Sequence, residues 1–206
     1  MNDKTMFKLT YGLFVLTARQ GSKDNGCIIN TAGQVTAVPN RLSIAVNKAN
    51  FTHDMILDTK QFNVSILSEA ASFSTFQRFG FQSGKNADKF ENYEPVKRSE
   101  NGILYVTEGT NGFISATVEN TLDLGTHTLF IASVDDMEVL SDVPSTTYNY
   151  YQSNIKPKPA APVQKTGKTI WRCRICGYEY EGEELPADFV CPICKHPASD
   201  FEKVIV

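Results

Sequence analysis

The sequence predicts a mainly β protein in two parts, with a barrel-like N-terminal body and a small metal-binding module at the C-terminus. Three observations carry this. Short runs rich in β-branched and aromatic residues recur from residue 9 to residue 134, separated by turn residues. Helical signals are confined to two brief stretches, near residues 52–57 and 68–78. Four of the five cysteines form two C-x-x-C pairs, Cys173 with Cys176 and Cys191 with Cys194. Several strands with few helices imply a closed or nearly closed β-barrel rather than a parallel α/β sheet.

In chain order, residues 9–18 read as the first strand. The polar stretch from Gly21 to Gly26 makes a turn, with Asn25-Gly26 as the hairpin signal. Residues 27–38 resume as a strand bearing Thr31, Gln34 and Thr36, and Pro39-Asn40 breaks it. Residues 42–46 follow, then 62–67, where Phe62, Val64 and Ile66 alternate. Residues 103–106, 113–118 and 127–134 add further strands. One helix starts at Thr52, a good N-cap residue, and runs through Leu57. The other covers Ser68 to Arg78. No G-x-G-x-x-G follows a strand, which argues against a Rossmann nucleotide site.

A chain of 206 residues suits one medium domain and one small one. The expected boundaries are 1–153 for the barrel, 154–168 for a linker and 169–206 for the metal module. The linker carries Pro157, Pro159 and Pro162 among four lysines, a composition that favours a semi-rigid, partly polyproline II spacer. A net charge of −3 gives no basic footprint for nucleic acid. No apolar run approaches the ~18 residues that a membrane helix needs. Residues 1–6 show no secretory leader pattern, and thiolate ligands beside a lone Cys27 suit a reducing cytoplasm.

The chemistry-bearing residues fall in three places. Positions 177 to 190 separate the two cysteine pairs, so 14 residues lie between them, and such pairs make a four-sulfur tetrahedral site for iron or zinc. Gly177 follows the first knuckle, where a positive φ lets backbone amides face the sulfurs. At Asn47–His53 a strand gives way to a helix. Free helix-end amides, the Thr52 hydroxyl and Lys48 make a phosphate seat there, although a plain N-cap accounts for the same residues. The polar cluster Ser83–Phe90 is either a solvated loop or a ligand contact. Cys27 is either a small buried hydrophobe or part of a site wall. His53 and His127 read as hydrogen-bonded structural residues, and Tyr148, Tyr150 and Tyr151 as packing residues. No Ser-His-Asp set and no paired carboxylates are visible.

The C-terminal residues resemble a rubredoxin. The likeness rests on Trp171-x-Cys173-x-x-Cys176-Gly177-Tyr178-x-Tyr180, on the run from Leu185 to Cys194, and on Asp200-Phe201-Glu202-Lys203-Val204. It implies one iron held by Cys173, Cys176, Cys191 and Cys194 that carries one electron. Trp171, Tyr178, Tyr180, Phe189 and Phe201 would form its apolar shell. The short loop between knuckles is closer to the rubredoxin domain of rubrerythrins, and Lys195 stands where a glycine is usual. A zinc ribbon that merely staples a small domain is the alternative.

The N-terminal part resembles the flavin reductase-like family. The matching pieces are Tyr11–Thr17, Asn25–Thr31, Gln34-Val35-Thr36, Asn47-Lys48-x-Asn50-x-Thr52-His53, Phe62–Leu67, Gly84-Lys85-x-x-Asp88-Lys89-Phe90, His127–Ile131 and Thr147-Tyr148-x-Tyr150-Tyr151. The resemblance implies a split β-barrel that binds FMN non-covalently, in a homodimer with the flavin near the subunit interface. Asn30, Thr31 and Gln34 would face the isoalloxazine. Lys48, Asn50 and Thr52 would hold the ribityl phosphate, and Ser83 and Lys89 would close the site.

The two parts in this order resemble the high-molecular-weight rubredoxins. That likeness implies an NAD(P)H:rubredoxin-type oxidoreductase passing electrons through FMN to the iron, and on to a flavodiiron protein that reduces oxygen or nitric oxide. Two other readings remain. One is a carrier whose FMN is reduced by another protein, and the other is a binding module with a structural zinc ribbon.

Overall fold

The computed structural model describes residues 2–157, 169–175, 177–192 and 196–205. They divide into two units, Met1–Ile155 and Lys156–Val206. In the first unit a short 3-10 turn at Asp3–Lys8 precedes β1 (Phe14–Gln20), β2 (Lys23–Ile29), β3 (Gly33–Ala37) and β4 (Asn40–Asn47). Helix α1 (Phe51–Thr59), β5 (Gln61–Leu67) and helix α2 (Phe73–Gly80) come next. A small hairpin of β6 (Val96–Arg98) and β7 (Leu104–Val106) leads into the long strands β8 (Thr110–Asp123) and β9 (His127–Val139). A helical turn α3 (Tyr148–Tyr150) runs on as a π-turn over Tyr151–Ile155.

Seven strands form one sheet in the order β2-β1-β5-β8-β9-β4-β3, and every neighbouring pair is antiparallel. The sheet curls around a single interior. Leu16 of β1, Ile44 and Val46 of β4, Phe62 of β5 and Phe130 of β9 are fully buried together, with Met55 and Ile56 of α1 closing the interior. No ladder joins the end strands β2 and β3. Thr31, just past β2, instead carries the β3–β4 register one step further, opposite Ala45 of β4. The Thr31 hydroxyl donates to the Ala45 carbonyl at 2.7 Å and accepts from the Ala45 amide at 3.1 Å. The barrel is therefore split, as the sequence led us to expect.

Strand β1 is buried on both faces, because α2 covers its outer side. Val15, Phe76, Phe79, Val106 and Tyr151 form this second core. The β6–β7 hairpin is tied down by a buried polar knot at Asn63 of β5. The Asn63 Nδ2 donates to the Ser99 hydroxyl at 2.7 Å and to the Ile103 carbonyl at 3.0 Å. Its Oδ1 accepts from Asn101 Nδ2 at 3.0 Å and from the Ser115 hydroxyl at 2.6 Å.

Four local expectations are corrected. The first reversal falls at Gly21, whose φ is +60°, and not at Asn25-Gly26. Asn25 pairs with Ala18 and Gly26 with Thr17 inside the β1–β2 ladder. A Cβ on Gly26 would sit 3.1 Å from the Phe79 ring and 3.2 Å from the Leu16 carbonyl, so this glycine answers close packing rather than a turn. The strand expected over 27–38 breaks near residue 30 into β2 and the exposed edge strand β3. Helix α1 is capped at Asn50, not Thr52, and α2 begins at Phe73 because Ser68 pairs with Ser145 instead of opening a helix.

In the second unit, β10 (Thr169–Cys173), β11 (Glu179–Glu181) and β12 (Phe201–Ile205) form an antiparallel sheet in the order β11-β10-β12. Among the described residues no helix is long and apolar enough to cross a membrane.

Asn63→Ala strips four hydrogen bonds from a site with no access to water. We expect a loss of about 2–4 kcal/mol of barrel stability, seen as a lower urea midpoint by far-UV circular dichroism. Trp171, the lone tryptophan and a resident of the second unit, should report a separate and unchanged transition. A loss below ~0.5 kcal/mol would show that the knot contributes no net stability.

Candidate functional site

A polar cavity of about 160 Å³ opens between β2, the start of α1 and the 80–89 loop. Asn25, Cys27, Asn50, Thr52, Ser83 and Lys89 contribute to its wall. The Asn25 Nδ2 donates to the Thr52 hydroxyl at 2.9 Å, so strand and helix are locked where they meet. The loop approaches this amide so closely that a Cβ on Gly84 would collide with it.

Lys89 supplies the charge. Only 4% of it is exposed, and its Nζ donates to the carbonyls of Gly26 (2.8 Å) and Phe79 (3.0 Å). An ammonium has three N–H bonds, so one is left uncommitted among the described residues. Burial lowers the Lys89 pKa from its usual value, and the nearby Cys27 thiol opposes that shift. Burial likewise raises the Cys27 pKa, against smaller lowering effects of the Thr52 hydrogen bond and of Lys89. Asn50 caps α1 without a side-chain hydrogen bond, which leaves the first-turn amides without a side-chain acceptor. A buried cation, a helix N-terminus and a hydroxyl on one small cavity make a seat for an anion such as a phosphate.

The other residues singled out from the sequence lie elsewhere. Lys48 forms an ion pair with Asp123 at 2.7 Å and is not part of the cavity wall. Asn30 and Thr31, at the far end of β2, border a groove of about 360 Å³. The Thr31 hydroxyl is committed to Ala45 as both donor and acceptor. Gln34 lies on the exposed edge strand β3 and borders an apolar cavity of about 330 Å³ with Phe14, Leu42 and Ile114. From Asn25 to Asn30 the extended strand covers roughly 16 Å.

Sequence reasoning missed Asn25, because Asn-Gly is a strong turn signal. Gly84 lay within the polar cluster singled out from the sequence, but its own role appears only when the loop folds over Asn25. His53 is buried, with Nε2 at 2.8 Å from the Thr128 hydroxyl and Nδ1 at 2.9 Å from Asp54, which is the structural role expected of it.

The second site is in the C-terminal unit. Cys173 ends β10 and Cys191 follows the Val190 bridge; 1% and 0% of them are exposed. Gly177 has φ +78°, and its amide donates to the Cys173 carbonyl at 2.9 Å. The Cys173 amide donates to the Tyr178 carbonyl and the Cys191 amide to the His196 carbonyl, both at 2.8 Å. These are the tight turns that a thiolate knuckle requires. Cys176, Cys194 and Lys195 lie outside the described residues. Phe189 packs against Tyr180 at 4.8 Å and Phe201 at 5.4 Å, with Tyr178 stacked at 6.4 Å, so four of the five aromatic residues singled out from the sequence form one cluster in the unit that carries the cysteines. Two buried thiols on two such turns, each with its sequence partner three residues away, fit a four-sulfur metal centre.

Residues 6–158 match the family model described as the flavin reductase like domain, and residues 171–202 the rubrerythrin, rubredoxin-like domain. The chain is 35% identical to the high molecular weight rubredoxin of Moorella thermoacetica, over 99% of this chain and 100% of that protein. It is 34% identical to the ferric-chelate reductase (NAD(P)H) of Archaeoglobus fulgidus, over 77% of this chain and 93% of the relative. Among solved structures, the NADH:FAD oxidoreductase of Streptomyces globisporus superposes with a TM-score of 0.63 at 20% identity, covering 70% of this chain and 84% of that one, and so shares the fold.

Cys27 should behave as a shielded thiol. At pH 8 we expect its alkylation by iodoacetamide to run at least about tenfold slower than that of free cysteine, measured by mass spectrometry of the peptide that carries it. A rate equal to free cysteine would mean that the cavity stands open to solvent.

Proposed function

Because the chain belongs to the flavin reductase-like family and carries a rubredoxin-like domain behind it, we propose that it is an NAD(P)H-dependent, FMN-containing oxidoreductase that delivers electrons to its own iron centre. The observation that carries this reading is the pairing, on one chain, of an anion cavity in a flavin reductase-like barrel with buried thiol knuckles. Similarity over 99% of the chain to a high molecular weight rubredoxin supports the same arrangement.

FMN and iron are the cofactors. FMN supplies two-electron acceptance and one-electron release, and a four-cysteine iron takes one electron at a time. The phosphate would sit in the polar cavity, held by the first-turn amides of α1, the Thr52 hydroxyl, the free N–H of Lys89 and the Ser83 side of the loop. Asn50 lies at the same helix end, and Lys48 would add long-range attraction from its place beside Asp123. The ring would extend along β2 towards Asn30, Thr31 and Gln34. With its hydroxyl engaged by Ala45, Thr31 would offer its methyl group and backbone. Cys173, Cys176, Cys191 and Cys194 would hold the iron.

The stretch 154–168 would let the iron unit meet both its electron donor and an outside acceptor, which we take to be a flavodiiron protein. Thiolate ligands suit a reducing compartment such as the cytoplasm. We also propose a homodimer. Val35, Val38, Met137 and Val139 are 49%, 94%, 56% and 76% exposed, and a second copy would shield such apolar side chains. Equilibrium sedimentation tests it, and a monomer at micromolar concentration would overturn it.

Anaerobic titration with NADH and with NADPH tests the electron path. The flavin band and then the ferric-thiolate bands should bleach. In Cys176→Ser the flavin should still bleach and the iron bands should be absent. Lys89→Met should weaken FMN binding about ten- to hundredfold, the worth of one charge-assisted hydrogen bond, with circular dichroism confirming the fold. Purified protein carrying zinc alone, or no bound flavin, would sink the proposal.

A further inference from the structure

The C-terminal unit is built of two halves, each carrying one cysteine pair. The first is the β10–β11 hairpin, whose turn holds Cys173 and is closed by the Cys173–Tyr178 and Gly177–Cys173 backbone bonds. The second is built on Cys191. The Cys191 amide donates to the His196 carbonyl, and Val190 bridges to Pro197. The Asp200 amide then donates to the Pro197 carbonyl at 3.0 Å, which closes a 3-10 turn over Ala198–Asp200. A metal bound by all four sulfurs has to keep these halves together.

The β10–β12 ladder joins them as far as Cys173, which faces Phe201. One residue further on, the contact passes to Arg174. Its amide donates to the Asp200 carbonyl at 2.9 Å. Its Nη2 donates to the Ser199 carbonyl at 2.8 Å, with the Asp200 carboxylate 3.9 Å away. The residue next to a sulfur ligand therefore holds the other half by backbone and by side chain. Arg172, on the opposite side of Cys173 in sequence, connects differently. Its Nε donates to Glu179 Oε1 at 3.0 Å, a contact that stays within the first hairpin. The two arginines carry the same charge and stand one residue from the same cysteine. What separates them is reach, 7 residues along the chain for Arg172 and 25 for Arg174.

We propose that Arg174 is a strap across the four-sulfur centre. It is a positioning residue that holds the Ala198–Asp200 turn, and with it the Cys191 knuckle, to the Cys173 knuckle, and so sets how long the centre retains its metal. The inference rests on the four-cysteine reading above, but not on which metal fills the site. The Arg174 side chain is 56% exposed, and an exposed ion pair at 3.9 Å contributes little. The short, charge-assisted bond to the Ser199 carbonyl is the part that acts. A metal that slips from one cysteine pair is still held by the other, and recapture depends on the effective concentration of the free pair. A tether between the halves keeps that concentration high.

The test uses the full-length protein, loaded with iron and, separately, with zinc. Arg174→Gln removes the charge and is too short to reach Ser199. It should release either metal to a chelator about fivefold faster than the unaltered protein, the worth of one hydrogen bond at a partly exposed site. Loss of the ferric-thiolate bands reads the iron, and a colorimetric indicator reads the zinc. The ferric-thiolate bands, which follow sulfur geometry, should also shift in this variant. Arg174→Lys can donate to the same single carbonyl and should bring release and spectrum back, within about twofold in rate. Arg172→Gln makes the same change of charge on the other side of Cys173 and should stay within about twofold as well. Equal acceleration in Arg172→Gln would trace the effect to charge near the sulfurs and overturn the strap. Unchanged release in Arg174→Gln, or no rescue by Arg174→Lys, would overturn it too. Should Arg174→Gln take up no metal, loading of Arg174→Lys would uphold the strap and failure of both would sink it. A protein that accepts zinc and refuses iron would refute the electron-transfer reading, while zinc release would still decide the role of Arg174.

Discussion

Lys89 places an ammonium where 4% of the residue meets solvent, and that group has to be satisfied before the surrounding chain can close. Its acceptors are backbone carbonyls from two different elements, Gly26 in β2 and Phe79 in α2. The 80–89 loop, the strand and the helix are therefore fixed by one side chain. Breaking such a contact leaves two carbonyls and a charge desolvated, at several kcal/mol together. The Asn25–Thr52 bond extends the lock to α1. What results is a small cavity with positive potential on one side and unbonded helix amides on another. It can take an anion without reorganising, which is the condition for tight binding by a preformed site.

This arrangement explains which parts of the molecule were legible in the sequence. The barrel was, because its interior comes from period-two alternation in strands such as β5, where Phe62 and Val64 face inward. The split was legible only through family likeness. It consists of two strands, β2 and β3, that share no ladder, and no periodicity encodes an unpaired edge. Asn25 was misread for a physical reason. An Asn-Gly pair favours a tight turn when both residues can take positive φ, but packing of Gly26 against Phe79 and the hydrogen bond from Asn25 to Thr52 outweigh that preference. The turn moved to Gly21, where no tertiary contact competes. Lys48, placed at the phosphate seat by its proximity in sequence to Thr52, also pairs with Asp123 on β8, across 75 residues that no local pattern reaches.

The metal module shows the opposite case, in which sequence is nearly sufficient. Each knuckle is set by residues within five positions of each other, so spacing, Gly177 and the aromatic positions convey the geometry directly. The cost of that locality is weak self-sufficiency. A unit of fewer than about forty ordered residues buries too little apolar surface to offset its conformational entropy without a metal, disulfides or a partner. Ile170, Cys173, Cys191 and Phe201 are the only buried side chains among its described residues. The four sulfurs thus serve the fold as much as the chemistry, because metal binding and folding are one equilibrium here.

Fold stability alone would be served equally by zinc or iron, so the aromatic residues have to be explained separately. Phe189 touches Tyr180, Phe201 and Tyr178, and Trp171 lies on the same central strand as Cys173. A staple needs no such cluster of rings. An electron carrier does, because water excluded from the thiolates lowers the local dielectric and makes the two charge states differ more in energy. Water exclusion by such rings would set how readily a bound iron accepts an electron. That exclusion has a role only in a redox site, and it is the physical reason for reading this module as a carrier rather than a clasp.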